Sequence, residues 1–167
     1  MLLRSTGARR VKRVGLGSAF VLAILVFAGS TSAMAHELSL VYRDQNGHFS
    51  VPLTSGEIPG GGDPGGQGSA ELTLSTQQQT ACFSINWKGL KEQVTAFHLH
   101  AAGAGSEGPH WIDFFNDQRF PGADGKSSGC VPTTADKIGA VIGNPAAYYL
   151  NVPSTAFPKG ALRGQLR

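Results

Sequence analysis

At 167 residues, with 14 basic and 11 acidic side chains and a formal net charge of +3, the chain is long enough for one domain with its own core. Five of the bases and none of the acids fall in the first 13 residues, which leaves nine bases against eleven acids, a net charge of −2, over the rest. Those nine bases are scattered singly, which excludes a nucleic-acid stripe or a polybasic membrane patch.

Arg4, Arg9, Arg10, Lys12 and Arg13 precede an apolar run from Val14 to Gly29. The run is shorter than the roughly 20 residues that span a bilayer as a helix, and "AMA" at 33–35 offers small residues to a signal peptidase. The reading is a cleaved signal peptide over 1–35, with the cut between Ala35 and His36 and a cut after Ala33 as the second choice. The protein is then secreted or periplasmic, with no transmembrane helix after cleavage. Arg9 and Arg10 lack the pattern expected after a twin-arginine pair, and no cysteine near the cut suggests a lipid anchor. Cleavage would leave His36 N-terminal, where its amine and ring could chelate copper together.

His48 lies in a turn-like "QNGH" and reads as solvated. "SGEIPGGGDPGGQGS" at 55–69 has seven glycines, and its composition alone suggests a flexible linker. Short runs with apolar alternation follow: "AELTLST" (70–76), "ACFSINW" (81–87), "VTAFHLH" (94–100) and "HWIDFF" (110–115) predict strands. "TTADKIGAVIGNP" predicts a helix capped by Thr133 or Thr134, with Asp136 in its first turn and Asn144-Pro145 as its stop. "AAYYLNV" and "GALRGQL" predict two closing strands. About seven strands with one helix imply an all-β fold, an antiparallel β-sandwich of Ig-like or Greek-key type with one short helix in a connection.

Cys82 and Cys130 form an even pair, and in an oxidising compartment a disulfide is expected. By loop entropy it would contribute about 4 kcal/mol. A reactive or metal-binding thiol pair is the alternative, and the missing C-x-x-C spacing argues against it.

"GAGSEG" at 103–108 fits G-x-G-x-x-G, yet Pro109 and strand-like sequence follow where dinucleotide binding needs a helix. A hairpin loop is the simpler reading. Ala104 also stands where a G-x-S-x-G elbow around Ser106 would need glycine. No catalytic residue for acyl or phosphoryl transfer is identified.

His98 and His100, two apart on a strand, point to one face with about 7 Å between their α-carbons. They could converge on copper or zinc, but two ligands are half a site. In a regular hairpin Leu99 lies opposite His110, His98 opposite Trp111 and Phe97 opposite Ile112, so His110 turns away while Trp111 and Asp113 share the histidine side. A one-residue slip reverses this. The sequence therefore favours a structural corner, with His98 and His100 bonded to loop carbonyls or a carboxylate. A copper or zinc site drawing on His110, His36 or Asp113 is the alternative. Arg163 is expected to pair with a carboxylate such as Glu57 or to sit on a solvated sheet face. Tyr148 and Tyr149 fall on opposite faces, one core and one exposed. Trp111, Phe114, Phe115 and Phe120 read as core.

"GEIPGGGDPGGQGSAELTL", "CFSINWKGL", "AFHLHAAGAGSEGP", "SSGCV" and "NPAAYYLNV…FPKGALRGQL" together resemble the CHRD domain family, found in chordin and in many exported bacterial proteins. The resemblance runs over about 49–167. It implies a secreted β-sandwich-like domain over 36–167, a binding rather than an enzymatic role, and a glycine segment that is an internal loop. Many members read Asn-Val-His-Thr where this chain has "NVPST", so Pro153 replaces a histidine that a family-style site could use. The sequence thus supports an exported, non-enzymatic binding or scaffold module for an unknown protein or extracellular ligand, with a copper- or zinc-binding protein as the alternative.

Overall fold

The computed structural model describes residues 46–120 and 123–167; the leader, its cleavage site at Ala35 and His36 lie outside the described residues. Eight strands are found there: β1 (Asn46–Thr54), β2 (Gln67–Ser75), β3 (Thr80–Lys88), β4 (Phe97–Ala101), β5 (His110–Phe115), β6 (Gly125–Pro132), β7 (Tyr148–Val152) and β8 (Leu162–Gln165). One α-helix, α1 (Ala135–Gly143), lies between β6 and β7. No helix among the described residues is long and apolar enough to cross a membrane.

The strands form one antiparallel sheet in the order β5-β4-β7-β8-β1-β2-β3-β6. Its halves are joined by a single pair, Thr54 opposite Arg163. The edge strands β5 and β6 come into contact, so the sheet is a nearly closed barrel rather than the expected sandwich. The interior holds a ring cluster in which Phe83 lies 5.5 Å from Phe97 and 5.0 Å from Phe114, with Phe97 and Phe114 stacked at 4.8 Å. These rings come from β3, β4 and β5, so aromatic burial holds the two halves together across the barrel.

Strands β1 and β3 bury alternate residues, as a sheet with one wet face should. Every residue of β7 and β8 and four of the five in β4 are buried. These three neighbouring strands are therefore covered on both faces, although their outer face carries histidine, asparagine, arginine and glutamine.

Helix α1 forms as its pattern predicts. Thr134 Oγ1 accepts from Lys137 N, Ile138 and Val141 are buried, and the helix ends before Asn144. Strand β6, "GKSSGCVP", lacks apolar alternation and was not predicted; pairing with β3 organises it, and Cys82 and Cys130 stand directly opposite. Their sulfurs are bonded at 2.10 Å. His48 is exposed as expected, but in β1 rather than a turn, bonded to Thr73 and near Glu71.

The glycine segment is not a linker. Gly62 N donates to Ser55 O at 3.1 Å and Asp63 N to Ala161 O at 3.0 Å. Asp63 is fully buried, and its carboxylate accepts from Lys91 N at 2.7 Å and Gly65 N at 3.3 Å. A Cβ on Gly62 would stand 2.3 Å from the Ala161 carbonyl oxygen, so the loop packs against β8's approach as the family resemblance implied.

Gly62→Ala should consequently lower unfolding stability by about 1–3 kcal/mol through overpacking. Gly56→Ala, with nothing within 4 Å of its Cβ, should stay within about 0.5 kcal/mol of wild type. Urea unfolding distinguishes them, and a neutral Gly62→Ala would restore the flexible-linker reading.

Candidate metal centre

Cross-strand register builds the site on the outer face. Asp113, His98, Asn151 and Arg163 form one row across β5, β4, β7 and β8, and His110, His100, Tyr149 and Gln165 form the next. Phe97 and Leu99 of β4, with Tyr148, Leu150 and Val152 of β7, occupy the core side.

The regular hairpin register does not hold. Leu99 pairs with Ile112 and His100 with His110, which leaves Trp111 as an extra residue. Phe114 is likewise extra between the His98–Asp113 and Phe97–Phe115 pairs. Bulges re-aim the side chains beside them. His110 therefore joins His98 and His100 instead of turning away, Asp113 stays on their side as expected, and Trp111 leaves it. The indole packs against α1, donating from Nε1 to the Lys137 carbonyl at 3.2 Å, with its ring 5.5 Å from that of Tyr148.

One ring nitrogen from each of His98, His100 and His110 lies within 4.8 Å of the others. The ring centroids are 4.1 Å apart for His98–His110, 4.4 Å for His100–His110 and 5.7 Å for His98–His100. Each imidazole is held by an oxygen acceptor. His98 Nε2–H donates to Asn116 Oδ1, His100 Nδ1–H to the Gly108 carbonyl at 2.8 Å, and His110 Nδ1–H to Asp113 Oδ1 at 2.7 Å. An imidazole that donates from one nitrogen presents a lone pair on the other. His98 Nδ1 and His100 Nε2 are buried with no hydrogen-bond partner in the chain. Each ring thus keeps one nitrogen free to ligate while an oxygen engages the other, the pattern of a metal-binding histidine.

The structural-corner expectation is met in one respect, since His100 does order the loop through Gly108. It does not account for the two unpartnered nitrogens. His98 and His100 are only 5% and 7% exposed. Burial lowers the pKa of both below the ordinary 6.5, with the Asn116 bond partly offsetting this in His98 and the Gly108 bond in His100; His110 lowers both further. Near neutral pH both rings are uncharged and able to ligate.

The "GAGSEG" loop covers this face. A Cβ on Gly108 would lie 2.1 Å from the Ala101 carbonyl oxygen, so only glycine lets the loop approach β4 so closely. Arg163 is buried beneath the loop, donating to the carbonyls of Ser106 at 2.7 Å and Gly103 at 2.9 Å and to Gln165 Oε1 at 3.0 Å. The expected Arg163–Glu57 pairing is replaced: Glu57 accepts from the Gln165 backbone N at 3.0 Å. Tyr149 is buried, not exposed, between the Arg163 guanidinium, 3.5 Å from its ring centroid, and the His100 ring, stacked at 4.9 Å. Asn116, Tyr149 and Asn151 are the site residues that sequence reasoning missed. Alternation places Asn151 with Tyr149, but only the β4–β7 pairing brings them to the histidines.

A cavity of about 200 Å³ opens beside the imidazoles, walled by His98, His100, His110, Tyr149, Asn151 and Pro153. Pro153 therefore stands at the site and offers no ligand. A larger cavity of about 570 Å³, lined by Glu57, Arg163 and Arg167, contains no imidazole. Three neutral nitrogen donors with one open side suit zinc or copper. The family model of the CHRD domain matches residues 49–166. No curated protein and no solved structure matches the chain significantly.

The lowered pKa values give the metal-free chain a definite pH dependence. The unfolded chain takes up protons on these two histidines near 6.5, above the point at which the folded chain does. Stability is therefore full above 6.5 and falls as pH drops towards the depressed folded values. Thermal unfolding in chelator should show a decline below about pH 6.5 that is shallower in a His98→Asn/His100→Asn variant. Superimposable profiles would show that the buried pair does not titrate in this way.

Proposed function

The chain belongs to the CHRD domain family, and we propose that this member is an exported, non-enzymatic binding module whose ligand is a copper or zinc ion held by His98, His100 and His110. The observation that carries the reading is the cluster of three imidazoles, one nitrogen of each within 4.8 Å of the others, in which the buried His98 and His100 each keep one nitrogen without a partner. Leaving such groups without a partner costs about 1–3 kcal/mol each, and a bound metal ion offsets that cost for each one it takes as a ligand. Asp113 supports His110 from outside as a carboxylate–histidine pair, so it orients a ligand and is not needed as one.

At the coarse level the family match supports a non-catalytic module, and the three-histidine set gives that module a specific ligand. Cys82 and Cys130 are committed to their disulfide, so the centre is all-nitrogen on the protein side. Imidazole suits both zinc and copper, and metal content decides between them. The disulfide and the extracellular type of the family support export. Residues 36–167 would then form a single CHRD domain after removal of the leader.

Exported protein should retain close to one equivalent of copper or zinc after dialysis, measured by elemental analysis, and its Tm should fall when the ion is chelated. His110→Ala removes a ligand at an exposed position and should reduce bound metal severalfold while the fold persists by circular dichroism. Background metal in wild type that cannot be raised by adding Zn²⁺ or Cu²⁺ would refute the reading.

N-terminal sequencing of the same material should begin at His36. An uncut leader, or a start at Met34, would overturn the cleavage assignment.

A further inference from the structure

We propose that the metal centre is open, and that its remaining coordination position takes a small exogenous anion from the adjoining cavity. This rests on the metal-binding reading above. The grouped ligands among the described residues are His98, His100 and His110, and Asp113 Oδ1, 2.7 Å from His110 Nδ1 and 3.9 Å from His98 Nε2, is engaged by His110 and stands outside the set. Structural zinc sites are normally closed by four protein ligands, whereas three-ligand sites keep a position for solvent or substrate.

The cavity has room for that ligand. About 200 Å³ is several times the roughly 30 Å³ that one water occupies in the liquid, yet it falls short of the ~300 Å³ at which pockets for drug-sized ligands begin. An ion of a few atoms fits there beside the imidazoles. Pro153 and Pro158 supply two walls with no side-chain donor or acceptor to compete for the metal.

Charge sets its sign. Three neutral imidazoles leave the whole charge of a divalent ion uncompensated by its direct ligands, and that charge dominates the local field. Lys159 also lines the cavity, and Asn151 Nδ2 donates to the Lys159 carbonyl at 3.1 Å, which anchors this residue beside the triad. Glu107, from the glycine loop, also lines the cavity and opposes anion entry. The charge of the bound ion and Lys159 favour an anion, against Glu107 and the Asp113 carboxylate, whose Oδ1 lies 2.7 Å from His110 Nδ1 and 3.9 Å from His98 Nε2.

Azide added to Cu²⁺-loaded protein tests this. The expected result is a saturable new charge-transfer band with an altered copper EPR spectrum. Azide affinity should fall about 3- to 10-fold in Lys159→Met and rise in Glu107→Gln, by the usual scale of one nearby charge. Neither residue is a metal ligand, so copper stoichiometry should stay the same in both. Copper that binds with unchanged spectra at saturating azide would overturn the open position and leave the metal centre standing. Azide binding that ignores both charge changes would overturn the roles of Lys159 and Glu107. Failure to bind Cu²⁺ at all would bring down the metal reading itself, and the inference with it.

Discussion

A guanidinium cannot be neutralised by giving up its proton, so wherever Arg163 is buried the surroundings must supply acceptors. Arg163 is 1% exposed and has no carboxylate against it; two loop carbonyls, the Gln165 amide oxygen and the face of Tyr149 serve instead. The consequences spread outward from this one group. Gly103 and Ser106 must turn their carbonyls inward, which fixes the glycine loop over β8. Tyr149 must lie flat beneath the cation, and its other face then stacks on His100. Gln165 shares its amide protons among the carbonyls of Ala102, Ala146 and Tyr148, closing the lower edge of the same patch. The polar outer face of β4, β7 and β8 is dry because these contacts hold the loop down on it.

The second device is the pair of bulges in the β4–β5 hairpin. A regular ladder would put His110 on the core side, where no partner exists for it, and would bring Trp111 among the histidines. One extra residue at Trp111 reverses both placements, and α1 accepts the displaced indole through the Lys137 carbonyl and the Lys137 ammonium near its ring. Helix packing and site geometry are therefore coupled. The second bulge, at Phe114, returns the register in time for both Phe114 and Phe115 to reach the interior, where they meet Phe83. Between the two bulges Asp113 stays on the outer face, within reach of His110 Nδ1.

Much of this was legible in local sequence. Alternation found six of the eight strands, the Thr134 cap and Asn144-Pro145 bounded the helix, and the i, i+2 spacing put His98 and His100 on one face. What stayed hidden depends on pairing between distant strands. Strand β6 has almost no apolar residues and exists because β3 offers it a ladder and Cys82 a covalent partner. One of Tyr148 and Tyr149 reads as exposed, yet both are buried, since nothing local announces that Arg163 and a glycine loop will cover Tyr149. His110 is invisible for the same reason that any bulge is: a single inserted residue changes a side chain's face without changing composition or period. The joining of the two halves into one sheet rests on one residue pair, Thr54 with Arg163, which no pattern of alternation encodes.

The energetics bear on why the patch is built from histidines at all. Two buried, unpartnered nitrogens together cost roughly 2–6 kcal/mol, which is a large part of the 5–15 kcal/mol that a domain of this size commonly has in hand. The Cys82–Cys130 bond, at about 4 kcal/mol in the loop-entropy account, is of the same order. A chain that needed these positions only for packing could fill them with apolar side chains and avoid the loss, because His98 and His100 are themselves already buried. Here the polar nitrogens are instead kept, each tautomer is fixed by an oxygen on its far side, and a third imidazole is brought across by a bulge. That combination lowers stability in the empty protein, so an ion that takes either nitrogen as a ligand recovers more free energy than it would at a site already satisfied by hydrogen bonds.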